Sequence, residues 1–307
     1  MLVSANWLEG IPREVAKEDS LPLTHPAAAM LHPTAPVLDV HGLTDVGLVR
    51  ERNEDQYLVA DLFRQMVIRQ SSLSVPSERR VLLGNPGSLI IVADGVGGHG
   101  AGDLASAVAV DAVADAVLRT TPWVFEPAFG AGEEQRDAQV GEALQQALAR
   151  CEGQVHAVAE RRGLVEQKMA TTLTLGLVLW PRLYVAHVGD SRCYVQRKGE
   201  LRRVTRDHTL GAQVGAENGA FKHVLVNAVG GSDTKLLVEI HRVTLEPGDG
   251  ILFCTDGLTN QVTDEDIATC LTQGDSARDC CETLVAAAKA SGGNDNITAV
   301  VAFAMPS

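Results

Sequence analysis

TTLTLGLVLWPRLYVAHVGDSRCYVQRKGELRRV, residues Thr171–Val204, holds four strand-length runs and three turns. Apolar and β-branched residues fill Thr171–Leu179, Leu183–Val188, Arg192–Gln196 and Leu201–Val204. Between them stand Trp180-Pro181-Arg182, Gly189-Asp190-Ser191 and Arg197-Lys198-Gly199-Glu200. Strands that follow one another through such turns pair as antiparallel hairpins, unlike the β-α-β alternation of a doubly wound fold.

The flanks agree with that pattern. Downstream, Leu210–Phe221 has two glycines and little periodicity and is a candidate flap. Lys235–Val243, Gly250–Cys254 and Asn296–Phe303 are predicted strands. Thr263–Cys270, opening on Thr-Asp-Glu-Asp, and Ser276–Ala290 are predicted helices. Upstream, Gln56–Ala60 and Ser88–Ala93 are predicted strands, the second ending in Asp94-Gly95-Val96-Gly97-Gly98. Asp61–Gly87 is polar and is expected as an irregular connection. Ala101–Leu118 and Asp137–Arg162 have helical spacing. Periodic structure is expected from about Thr44. Residues 1–40 contain Pro12, Pro22, Pro26, Pro33 and Pro36 and are expected to form an N-terminal extension. Grouped strands and grouped helices make an α+β sandwich of antiparallel sheets with helices outside.

At 307 residues, 45% hydrophobic and 21% charged, the chain can bury a sizeable core. Its formal net charge of -13 argues against a nucleic-acid backbone and against anionic lipid as partners. Surplus carboxylates suit either a metal site or a solvated acidic surface. The six cysteines (Cys151, Cys193, Cys254, Cys270, Cys280, Cys281) form no C-x-x-C pair and are expected as reduced core thiols. No run approaches the roughly 18 apolar residues of a membrane helix. The N-terminus shows no basic segment followed by an apolar run, so a cytoplasmic location is expected.

The aspartates fall at strand ends. Asp94 and Asp256 each follow an apolar strand and precede glycine. Asp190 follows a strand; Asp55 and Asp295 precede one. Singly, an Asp-Gly after a strand is ordinarily a turn. Five together suggest convergence at one edge of the sandwich, where carboxylate and carbonyl oxygens would suit a hard divalent ion. Glycine beside them lets the backbone approach an ion.

Six segments stand in an order that resembles the bacterial branch of the metal-dependent protein phosphatases, the protein phosphatase 2C-like or PPM family. They are Gly47–Asp55, Ala93–His99, Met169–Thr172, Val188–Arg192, Thr255–Leu258 and Asp295–Thr298. The resemblance covers roughly Leu43–Phe303. It implies a catalytic domain over 41–307, with two packed antiparallel β-sheets flanked by α-helices in a four-layer αββα sandwich. It implies hydrolysis of phosphoserine and phosphothreonine in proteins by a water bridged between two Mn2+ or Mg2+ ions. Asp94 would bridge the ions and Gly95 would offer its carbonyl oxygen. Asp256 and Asp295 would complete one shell, and Glu54 and Asp55 match the acidic pair that acts directly or through water. Arg50 matches the arginine that grips the phosphate. Asp190, with Asp256, matches the holder of a third, weaker ion. Phosphoprotein substrates, opposing serine/threonine kinases and a monomeric state are the implied partners and assembly. A pseudophosphatase on the same fold is the alternative function, but none of Asp94, Asp256 or Asp295 is missing. An enzyme of small phosphoesters is a third possibility.

The chain departs from the family in places. Val96 stands where many eukaryotic members carry a histidine, and Asn260 where members often carry a second aspartate near the third ion. Ala170 replaces the commoner glycine. His99 is a candidate to reach the site, and Asp207-His208 to support it from behind. The remaining histidines are expected to be structural or superficial, and Asp45 to serve a turn or cap.

Overall fold

The computed structural model describes residues 38–62, 66–71, 87–97, 101–125, 132–165, 169–215, 221–231 and 235–305. The expected extension over 1–40 lies outside them except for its last three residues, as do His99 and the middle of the candidate flap.

Among the described residues, twelve strands and six helices follow in chain order: β1 Leu38–Asp45, β2 Asp55–Leu62, β3 Met66–Ser71, β4 Gly87–Val96, α1 Ala101–Phe125, α2 Glu133–Arg162, β5 Ala170–Thr171, β6 Leu173–Leu179, β7 Arg182–Val188, β8 Arg192–Arg197, β9 Glu200–Arg203, α3 Leu210–Gln213, β10 Glu239–Thr244, β11 Gly250–Cys254, α4 Asp256–Thr259, α5 Asp264–Gln273, α6 Ala277–Ala290 and β12 Ile297–Ala304. One sheet has the order β1-β12-β11-β8-β9. The other has the order β10-β7-β6-β4-β2-β3, with β5 added on β4. The pairings are antiparallel throughout.

The two-residue period of a strand sorts its side chains into layers. On β4, Leu89, Ile91 and Ala93 pack toward α1 and α2. Ile90 and Val92 pack between the sheets. On β11, Ile251 and Phe253 join that inter-sheet core, whereas Leu252 and Cys254 turn to α5 and α6. Three apolar layers separated by two sheets give the order helices, sheet, sheet, helices, so the four-layer sandwich is the observed architecture. Gly176 on β6 admits the Phe253 ring; a Cβ there would collide with it. Truncating such a ring to alanine typically costs about 3–5 kcal/mol. Thr263 and Ser276 cap α5 and α6, accepting from the backbone N–H of Asp266 and Asp279, as their sequence positions predict.

Some boundaries differ from expectation. β1 opens at Leu38 rather than near Thr44; it is an edge strand with only Leu38 and Gly42 fully buried, so its alternation is faint. β3 lies within the stretch expected to be irregular, also at an edge. α1 runs past Leu118 to Phe125, α2 starts at Glu133, and β10 starts only at Glu239. β4 does not stop at Ala93 but continues through Asp94 and Gly95, because Gly95 and Val96 pair with Thr171 and Ala170 of β5. That partner is distant in sequence and invisible to local pattern.

Candidate metal centre

Antiparallel register decides which chain ends meet. Asp55, first residue of β2, is the cross-strand partner of Asp94 near the end of β4. Asp94 shares the parity of Ile90 and Val92, and Asp55 that of Tyr57 and Val59, so both carboxylates point to the inter-sheet side. Asp190 follows β7, Asp256 follows β11 and Asp295 precedes β12, all at the same end of the sandwich. A cavity of about 1110 Å³ opens there, walled by Arg50, Glu54, Asp94, Gly95, Asp190, Asp256 and Asp295 among others. The expected acidic convergence is therefore present, and the structure brings Arg50 and Glu54 to it as well.

Neighbouring threonines hold the backbone of Asp94 and the carboxylate of Asp55. Thr172 Oγ1 accepts from the Asp94 backbone N–H at 2.9 Å and lies 2.7 Å from Ser191 Oγ. Thr171 Oγ1 donates to the Asp94 carbonyl at 2.8 Å, and the Thr172 N–H donates to the same oxygen at 2.9 Å. Thr298 and Thr255 hydroxyls donate to Asp55 Oδ2 at 2.7 and 2.8 Å. Asp55 Oδ1 is buried without a hydrogen-bond partner. The Asn296 amide donates to the carbonyls of Val46 and Arg52 and accepts from the Glu54 N–H, which ties the 46–54 loop to the start of β12. Gly95 is needed because a Cβ there would strike the Gly102 carbonyl, where α1 begins against the site.

Burial and mutual repulsion raise the pKa values of these carboxylates. Desolvation pushes Asp55 up to about 7, with Asp256 and Asp295 adding to it and the two threonine hydroxyls opposing it. Asp94 is raised by desolvation and by four other carboxylates, those of Asp55, Asp256, Asp190 and Asp295. Desolvation, then Asp256 and Asp207, push Asp190 up to about 8. Desolvation and Asp103 raise Glu54. Carboxylates that each prefer neutrality only because of burial and one another are expected to ionise when a divalent ion enters. Their all-oxygen donor set fits a hard ion such as Mg2+ or Mn2+. Among the described residues, no three acidic, histidine or cysteine side chains already close on one point at ligand distance. Protein groups occupy some of those oxygens instead: Arg50 is on Asp295 and Asn260 on Asp256.

A family model described as protein phosphatase 2C matches residues 82–300. The chain belongs to the protein phosphatase 2C family. It is thereby an enzyme of the metal-dependent serine/threonine protein phosphatase class. It is 32% identical over 222 residues to the serine/threonine phosphatase stp of Listeria welshimeri, covering 69% of this chain and 83% of the relative. Its fold is similar to PppA, a regulatory component of the type VI secretion system in Pseudomonas aeruginosa, with a TM-score of 0.66 and 29% identity over 88% of this chain and 99% of the other. It is also similar to the catalytic domain of the phosphatase PstP in complex with two manganese ions, with a TM-score of 0.61 and 29% identity over 88% and 99%.

Two side chains read as superficial or passed over in the sequence also face this cavity. His223 is exposed and lies on the cavity wall with Nδ1 3.6 Å from Asp256 Oδ2. Lys222 donates to Asn260 Oδ1 at 2.9 Å. Both follow directly on the candidate flap Leu210–Phe221, in a stretch whose irregular sequence hides which residues turn inward. Val96 is an exposed apolar residue on the cavity wall and can move no proton. Asp207 pairs with Arg192 and Arg203, and His208 takes the Gly189 N–H on Nδ1. The two thus hold the turn that carries Asp190. Asp45 caps a turn, accepting from the Gly47 N–H at 2.8 Å and from Lys289 at 2.7 Å.

Proposed function

We propose that this chain hydrolyses phosphoserine and phosphothreonine in proteins at the carboxylate-floored cavity, using two Mn2+ or Mg2+ ions and opposing serine/threonine kinases. The observation that carries this is the Asp55–Asp94 cross-strand pair beneath the cavity, with Arg50 beside it. The manganese seen in the PstP relative supports the choice of metal.

Asp94, the Gly95 carbonyl, Asp55 with Glu54, Asp256 and Asp295 would hold the ions. Bound ions would supply a water of lowered pKa and would neutralise phosphate charge. The protein's own groups do the rest. Arg50 offers a planar fork to two phosphate oxygens, a geometry that lysine cannot match. Thr171 and Thr172 clamp the backbone of Asp94, so the position from which its carboxylate projects is set before substrate arrives, which spares reorganisation during reaction. Thr255 and Thr298 hold one oxygen of Asp55, and the other is buried without a hydrogen-bond partner. None of these residues need form a covalent intermediate.

The catalytic domain, expected over 41–307, is proposed to include β1 from Leu38 and to act as a cytoplasmic monomer, with the residues before β1 as an N-terminal extension. Phosphate release from a phosphothreonine peptide, compared with release from p-nitrophenyl phosphate, tests the activity. Release from the peptide should stop in chelator and return with manganese. A folded, manganese-loaded chain that releases phosphate from neither would make it a pseudophosphatase, and strong preference for the small ester would exclude a protein substrate.

A further inference from the structure

The helical layer packed on β11 and β12 carries a pair of cysteines that the metal centre does not use. Cys270 lies in the last turn of α5 and Cys280 near the start of α6, and Gly274, Asp275 and Ser276 join the two helices. Each thiol reaches the other residue's main chain. Cys270 Sγ donates to the Cys280 carbonyl at 3.6 Å, and Cys280 Sγ donates to the Cys270 carbonyl at 3.4 Å. The two thiols also hydrogen-bond to each other. Gly274 permits this approach. Its N–H donates to the Cys270 carbonyl at 2.9 Å, and a Cβ on it would collide with Cys280 Sγ. Side chains that cross in this way converge from their Cα atoms, which is the arrangement a disulfide needs.

The other thiols are built differently. All six cysteines are free, and Cys270 alone among them is not buried. Burial pushes Cys151, Cys254 and Cys281 up to about 12 and raises Cys193 as well. Such thiols stay protonated and inert. The hydrogen bond from Cys280 lowers Cys270 instead, so the accessible sulfur of the pair is also the one that ionises readily. A reachable sulfur with a second thiol against it is the pattern of a peroxide-sensitive pair. We propose that Cys270 and Cys280 form a redox-active dithiol that hydrogen peroxide converts to a disulfide between α5 and α6. The Cys270 thiolate attacks one peroxide oxygen, the O–O bond breaks, and hydroxide leaves to take up the proton that Cys270 lost. The Cys280 sulfur then attacks the sulfenic sulfur of Cys270. The S–S bond forms, the S–O bond breaks, and the departing oxygen leaves as water with the Cys280 proton. Two thiols are oxidised by two electrons, and one peroxide is reduced to two waters. Neither cysteine lines the cavity, so the inference stands apart from the metal centre.

The test treats the folded full chain with hydrogen peroxide, in chelator so that bound metal plays no part, then blocks free thiols and digests without reductant. Trypsin separates the two cysteines at Arg278, so the bridge should join peptides Val243–Arg278 and Asp279–Lys289. Fragmentation of the joined pair should place it at Cys270 and Cys280. Free thiols counted in the unfolded chain should fall from six to four and return with dithiothreitol. Cys281→Ser should still form the bridge. Cys280→Ser should form none and should leave a sulfenic acid on Cys270 that dimedone labels. Cys270→Ser, at the half-buried position, should keep all of its remaining thiols under the same treatment, and circular dichroism checks that each variant folds. A bridge through Cys254 or Cys281, a sulfinic or sulfonic acid on Cys270 without a bridge, or a native chain that keeps all six thiols would overturn the proposal.

Discussion

Arg50 Nη2 donates to Asp295 Oδ2 at 2.7 Å, although the two residues stand 245 apart in the chain. The group proposed to grip phosphate is thus paired with a proposed metal ligand. The contact raises the Arg50 pKa further, so its charge is permanent. Both side chains are well exposed, 51% for Arg50 and 36% for Asp295. A pair so open to water is worth about 0–1 kcal/mol.

That magnitude separates the two roles of Arg50. Arg50→Ala should lower kcat/KM by roughly one to three decades, through loss of charge-assisted bonds to phosphate worth about 1.5–3 kcal/mol each. Manganese affinity should rise by no more than about fivefold, the equivalent of 1 kcal/mol. Arg50→Lys should rescue only in part. Calorimetric manganese titration beside steady-state kinetics on a phosphopeptide checks this. Collapse of metal binding with normal kinetics at saturating metal would make Arg50 a structural part of the metal site.

Asp94→Asn should separate stability from chemistry. The folded-state pKa of Asp94 is raised, so the folded chain binds its proton more tightly than the unfolded chain does. Stability from this group is present at low pH and is lost as pH rises from the ordinary carboxylate range through the folded value. In chelator at neutral pH the variant should therefore melt higher, by several degrees if on the order of 1–3 kcal/mol of repulsion and desolvation is relieved. With manganese the order should reverse. Scanning calorimetry under both conditions decides it; a variant that melts lower in chelator would show Asp94 to be a packing residue.

Thr172→Val should act on catalysis through Asp94. It removes the hydroxyl that accepts from the Asp94 N–H and meets Ser191, and leaves those buried groups short of a partner. A stability loss of about 1–3 kcal/mol is expected. kcat should fall by roughly tenfold with KM little changed, because the substrate does not touch this residue. Thr172→Ser keeps the oxygen and should recover most of kcat. Equal losses in both variants would mean that methyl packing, not the hydrogen bond, matters.

His187 should give the fold an acid limit. It is fully buried, lies 2.9 Å from Thr174 Oγ1 by Nδ1, and 2.9 Å from the Arg206 carbonyl by Nε2. A carbonyl can only accept, so Nε2 carries a proton. Desolvation, with His208 beside it, lowers its pKa to about 3. Between 3 and about 6.5 the unfolded chain binds more protons, so this contribution is complete above 6.5 and is lost progressively toward 3. In urea titrations across that range, His187→Gln should lose less stability with falling pH than the native chain does. Parallel curves would contradict the buried neutral ring.

The sequence showed the central strands well because they are continuous apolar runs between turn residues; Gly250–Cys254 matches β11 residue for residue. It showed β1 and β3 poorly because edge strands need only one partner and little alternation. The acidic residues were legible because five of them share one signature, an aspartate at a strand end. What held them was not. Thr172, Thr255 and Thr298 matter through register, and register is set by strands far apart in the chain. Lys222 and His223 had no local mark at all, since a loop residue gains meaning only from the wall it folds against. Of these threonines only Thr255 stands next to an acidic residue in the chain, Asp256.

Manganese dependence of phosphate release from a phosphothreonine peptide, measured for the native chain and Asp94→Asn side by side, is the most direct test. The native chain should be silent in chelator and rise to a plateau as manganese is added. Asp94→Asn, still folded, should stay at least roughly a thousandfold below that plateau at every manganese concentration, given the scale of loss when a group acting on transition-state charge is removed. Native turnover undiminished by chelator, or an Asp94→Asn plateau close to the native one, would contradict a metal centre built on Asp94.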